Sequence, residues 1–187
     1  PFRVIAHEVA HQWWGHLVEA GDGPGSGLLV EGLANYATLR LLDAERGPGA
    51  RADFARDLES LYLERRRPSL ERAILETSED DPGGEAVLAL RGALALDQLH
   101  RRMGGDRMLR ALGSFVAEQR ARPGAATAAD LLDVLRSAAV APLDFDAFVA
   151  ASFATSALPE FSWGDRVVTR RPDGYRLRAA LRHSGFT

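Results

Sequence analysis

Two histidines four residues apart, with a glutamate beside the first, are the side chains of this sequence best suited to chemistry: His7-Glu8-Val9-Ala10-His11. On a helix, positions i and i+4 share a face about one turn apart, so both imidazoles can reach one ion. Their nitrogens suit Zn²⁺ at about 2.0–2.1 Å. Glu8 projects about 100° round the helix from His7, beside the metal rather than on it. From there its carboxylate can take a proton from water activated by the metal and pass it to a leaving amine. A catalytic zinc needs a third protein ligand and an open fourth position. The chain has no cysteine, so that ligand must be His, Asp or Glu. Glu31 follows a loop long enough to reverse direction, and can face the two histidines from the next helix. His16 is the rival; at i+5 from His11 it turns away from the shared face.

The elements that must position these groups are mainly helical. Residues 1–14 carry Val4, Ile5, Ala6, Val9, Ala10, Trp13 and Trp14, apolar on nearly every side, which predicts a buried core helix. A natural domain rarely begins inside its core, so this start, with Pro1 in place of Met, reads as a fragment of a longer chain. Gly21–Gly27 (GDGPGSG) is a loop by composition. Helices are predicted over about 28–43, 50–66, 85–103, 106–122, 128–139 and 145–154, with breaks at Gly47-Pro48-Gly49, residues 78–84 and Gly104-Gly105. Thr127 and Asp130 have capping-box spacing, and Asp144 is placed to cap the last helix. After Pro159 the pattern changes: residues 166–171 look extended, Pro172-Asp173-Gly174 is a turn, and residues 175–182 alternate apolar with mostly arginine. This predicts a β-hairpin. The division expected is a helical domain over 1–158 and the start of a truncated β domain over 159–187.

Composition narrows the function classes. The 187 residues are 46% hydrophobic and 26% charged, as in ordinary folded domains. A net charge of −3 gives no support to a nucleic-acid role. All 23 basic residues are arginine, which removes Schiff-base chemistry and a lysine-dependent phosphate loop. The lack of cysteine removes thiol nucleophiles and thiolate metal sites. No nucleophile elbow is present. No apolar run reaches the roughly 18–20 residues of a membrane-spanning helix. The arginine runs at 65–67 and 101–102 read as solvated helix faces, and Glu79-Asp80-Asp81 as a solvated turn.

HEVAHQWWG followed by LLVEGLANY resembles the M1 family of zinc metallopeptidases, whose best-known members are aminopeptidases. The matching residues are His7, Glu8, His11, Gln12, Trp13, Gly15, Glu31, Gly32, Ala34 and Tyr36. The likeness is strong over 1–45 and weak over 85–120, and runs to bacterial M1-like domains fused to membrane transporter subunits. It implies the C-terminal part of a thermolysin-like zinc peptidase catalytic domain with following helices, then a β-hairpin beginning another domain. It implies one Zn²⁺ per chain on His7, His11 and Glu31, with Glu8 as general base and acid, and a peptide as substrate. A transporter subunit is an implied partner, reached through missing parts of the chain. Such a parent protein would be membrane-associated; these residues alone leave the compartment open.

Four departures bear on this expectation. Nineteen residues separate His11 from Glu31, where the family usually has eighteen; the Gly-rich loop can hold the extra one. The family's oxyanion-stabilising tyrosine stands two residues before a Lys-Gly or Arg-Gly pair. Here that pair is Arg91-Gly92, and the position falls on Ala89. His100 is a conceivable substitute donor, against the reading of a solvated helix residue. The acid that often lies seven residues after the glutamate ligand is Thr38. The family's motif for binding a free α-amino group lies upstream of HExxH, outside this sequence. These departures motivate a second reading, a zinc-binding pseudopeptidase that serves as a binding or scaffold domain.

Overall fold

The computed structural model describes residues 1–122 and 124–184; Pro123, and the expected truncation at Thr187, lie outside them. The chain divides into two units, Pro1–Ser156 and Ala157–Thr187. The first is helical. It runs α1 (Phe2–Ala10), a π-helical turn (Leu28–Gly32), α2 (Leu33–Arg65), a 3-10 turn (Ile74–Glu76), a second π-helical segment (Ala86–Arg91), α3 (Gly92–Met103), α4 (Gly105–Ala121), α5 (Ala128–Ala138) and α6 (Phe145–Ser152). No helix among the described residues is long and apolar enough to cross a membrane.

Local chemistry sets most of these boundaries. Gly47 sits within α2 at φ 82, ψ 174, so the expected break at Gly47-Pro48-Gly49 is a kink between two helical stretches. Gly104, at φ 85, separates α3 from α4. Thr127 and Asp130 form the predicted capping box at α5, and the Asp144 side chain accepts from Ala147 N–H at the start of α6.

The core lies where α2, the second π segment and α3 meet, around Leu29, Leu33, Leu39, Leu88, Leu96 and Leu99. The expectation of a buried first helix is overturned. Only Ala6 and Ala10 of α1 are buried, whereas Val4, Ile5 and Val9 are 64%, 61% and 51% exposed. A nine-residue helix packed along one face leaves the other apolar face uncovered by the described residues. Trp14 is buried, but Trp13 is exposed.

The two π turns pack closely through glycine. A Cβ on Gly32 would stand 2.9 Å from the Leu88 carbonyl oxygen, so only glycine allows the Glu31 turn to approach the second π segment this closely. Leu33 N–H reaches back five residues to the Leu28 carbonyl.

The second unit is an antiparallel hairpin, β1 (Glu160–Arg171) with β2 (Gly174–Ser184). Both strands extend beyond the predicted 166–171 and 175–182. The register slips between Trp163 and Arg166, and this bulge keeps Phe161 and Trp163 on the same face as Val168, Leu177 and Leu181. Arg176, Arg178 and Arg182 line the opposite face.

Candidate metal centre

His7 lies in the last turn of α1, and His11 is its C-cap. His11 keeps helical angles, φ −62 and ψ −16, so the i, i+4 relation of the two rings survives past the helix end. The rings meet edge to face, with centroids 4.7 Å apart. Their Nε2 atoms are 3.1 Å apart. Glu31, on the first π turn, brings Oε2 to 3.2 Å from His7 Nε2 and Oε1 to 3.6 Å from His11 Nε2. Ligand atoms in a tetrahedral zinc site with bonds of about 2.0–2.1 Å are themselves about 3.3 Å apart. Among the described residues this is the one group of three His, Asp or Glu side chains close enough to share an ion.

The far side of each ring sets which nitrogen is available. His11 Nδ1 lies 3.0 Å from the Trp14 carbonyl, which can only accept, so Nδ1 carries the hydrogen. The turn returning that carbonyl needs Gly15, at φ +111, whose N–H donates to Val18 O at 3.0 Å. His7 Nδ1 lies 3.1 Å from Asn35 Oδ1, while Asn35 Nδ2–H donates to the Ala89 carbonyl at 3.2 Å. Turning the amide over would set its oxygen against that carbonyl, so Oδ1 accepts from His7 Nδ1–H. Both Nε2 atoms thus present lone pairs to the Glu31 carboxylate. The three groups repel one another unless a proton or cation lies among them, so this donor set fits a zinc ion. The Glu31 side chain is 41% exposed, so the site opens to solvent.

In the metal-free protein a proton fills part of that role. The hydrogen bond to Glu31 holds the His7 imidazole above its ordinary value of 6.5 despite partial burial, with the charges of Glu31 and Glu8 adding to the effect. The same hydrogen bond holds Glu31 below the usual carboxylate range. Proton and metal compete for His7 Nε2. Zinc affinity should therefore weaken as the pH is lowered, starting above pH 6.5 where His7 begins to take up its proton, and then by about tenfold per pH unit for the one proton displaced. Chelator competition between pH 5 and pH 8 checks this; an affinity flat across that range would contradict it.

The other expected residues take varied places. Glu8 is exposed beside His7. His16 is exposed and outside the cluster. His100 is not a solvated helix residue: it is half-buried on α3, with Nδ1 2.7 Å from the hydroxyl of Tyr36 on α2, and burial lowers its pKa. Thr38 is fully buried and donates to the Ala34 carbonyl at 3.0 Å. Ala89 is buried and offers no hydroxyl. Arg91 pairs with the buried Glu71 at 3.0 Å and donates to the Thr155 carbonyl at 2.6 Å, which anchors the second π segment. Arg66 also pairs with Glu71, at 2.8 Å, so the run at 65–67 is not wholly a solvated face. Asn35 has no place in the sequence expectation. Its signal was available, since it lies four residues after Glu31 on the same helical face.

The sequence profile of the Peptidase family M1 domain matches residues 2–151. No curated protein matches the chain. An M1 zinc metallopeptidase from Deinococcus radiodurans, solved as a glutamate-to-alanine variant, superposes with a TM-score of 0.68 at 25% identity. A two-domain M1 zinc metallopeptidase variant bound to L-tryptophan gives 0.67 at 26% identity. The Deinococcus radiodurans variant bound to a Tyr-Ser-Ala substrate gives 0.65 at 24% identity, a likeness of fold. Each superposition covers 84% of this chain and 34% of the solved chain, so the sequence spans about a third of these structures. A family profile extending over most of the sequence, met by helical structures of the same family, places the chain in peptidase family M1.

Proposed function

We propose that the chain is a zinc-dependent metallopeptidase, aminopeptidase-like, which holds one Zn²⁺ on His7, His11 and Glu31 and hydrolyses peptide bonds. The observation that carries this reading is the convergence of two imidazole lone pairs and a carboxylate at 3.1–3.6 Å, with both Nδ1 atoms already engaged. Zinc, when bound, supplies Lewis acidity and lowers the pKa of water for attack on a peptide carbonyl. The Glu8 carboxylate accepts the proton of the attacking water and delivers it to the departing amine nitrogen. The Trp14 carbonyl, accepting from His11 Nδ1–H at 3.0 Å, fixes the orientation of that ring. A membrane transporter subunit is a proposed partner on sequence likeness alone.

Ala89 favours a second reading, a zinc-binding domain with weak or no turnover. Losing one oxyanion donor typically costs about 10²–10³ in rate. The tripeptide bound by the Deinococcus radiodurans relative supplies a probe. The peptidase reading predicts release of tyrosine from Tyr-Ser-Ala that a chelator stops and added zinc restores. Zinc binding without hydrolysis would select the second reading. Hydrolysis indifferent to the chelator would contradict both.

A further inference from the structure

We propose that Asn35 is the positioning residue for His7, in place of the acid expected at position 38, and that it ties the metal centre to the second π segment. This rests on the zinc reading above. Thr38 is fully buried with its hydroxyl donated to Ala34, so it gives His7 no support. Asn35 lies three residues earlier on the same face of α2, is only 8% exposed, and meets His7 Nδ1 at 3.1 Å.

The identity of the residue follows from its two partners. His7 Nδ1–H requires an acceptor and the Ala89 carbonyl requires a donor, at 3.1 and 3.2 Å. A carboxamide provides both from one short side chain. A carboxylate would serve His7 and set a negative oxygen against the Ala89 carbonyl. The two ring supports also differ in origin. Trp14 holds His11 from within the same stretch of chain, whereas His7 is held from α2, which is itself held by the second π segment. The aim of His7 Nε2 therefore depends on the docking of three elements. A neutral amide also gives the imidazole less electron density than a carboxylate would, which leaves a bound metal the stronger Lewis acid.

The test measures zinc affinity by chelator competition and the melting temperature of metal-free protein, in the parent chain, Asn35→Ala and Asn35→Asp. Asn35→Ala should lose about 10–100-fold in zinc affinity, the usual effect of removing a partner that orients a ligand. Asn35→Asp keeps the acceptor for His7 and loses the donor to Ala89. It should melt lower than the parent yet bind zinc within about threefold of it, or more tightly. If Asn35→Ala fails to fold, Asn35→Asp decides alone, because a merely structural role would lower zinc affinity and melting temperature together. A parent that binds zinc while Asn35→Ala binds it equally well overturns the positioning role alone. A folded parent that binds no zinc overturns the zinc reading and this proposal with it.

Discussion

Glu8→Gln is expected to abolish measurable hydrolysis of Tyr-Ser-Ala while zinc stays bound. The amide has the size and shape of the carboxylate but cannot take a proton from water and return it to an amine. General acid–base catalysis of this kind contributes typically 10²–10⁴-fold. Glu8 is exposed and follows His7 without entering the three-ligand cluster, so the substitution should alter neither fold nor metal content. Initial rates beside zinc per chain, in parent and variant, check this. A variant that retains activity within about tenfold of the parent would remove Glu8 from the mechanism. A variant that loses its zinc would move Glu8 into the metal site.

His11→Ala carries the other large effect, on the metal itself. Structural zinc sites bind with about 10–16 kcal/mol over four ligands, so one ligand accounts for roughly 3 kcal/mol, about a hundredfold in affinity or more. The two remaining ligands, His7 and Glu31, would resemble an ordinary surface pair, and zinc should be lost on purification. The helical content should persist, because the core around Leu33, Leu88 and Leu96 lies on other elements. Elemental analysis with far-ultraviolet circular dichroism separates loss of the site from loss of the fold.

What the sequence reveals here is what depends on local spacing. His7 and His11 are one helical turn apart, and that relation holds even though α1 ends at Ala10, because His11 continues the helical angles. Glu31 is legible as a residue type on the following helix. The Gly47 kink, the Thr127–Asp130 box and the turn of the hairpin are equally local. Asn35 is not legible in this way. Its role appears only when α2 is set against α1 and the second π segment, and no spacing rule contains that docking. The same holds for Glu71, which receives Arg66 and Arg91 from different elements, and for the Tyr36–His100 pair. The first helix misleads for a related reason. Apolar residues on every side describe a helix that can be covered, and Val4, Ile5 and Val9 show that the described residues do not cover it. In the hairpin, alternation describes the faces of β2, but Trp163 and Val168 have opposite parity in sequence and share a face only because of the bulge.

The most direct test of the zinc centre is the amount of zinc per chain in the 187-residue protein purified without added metal, with His11→Ala as the control. Convergence of His7, His11 and Glu31 predicts about one zinc in the parent and none in the variant. A parent that is folded and helical yet carries no zinc, and takes up none when it is offered, would contradict it.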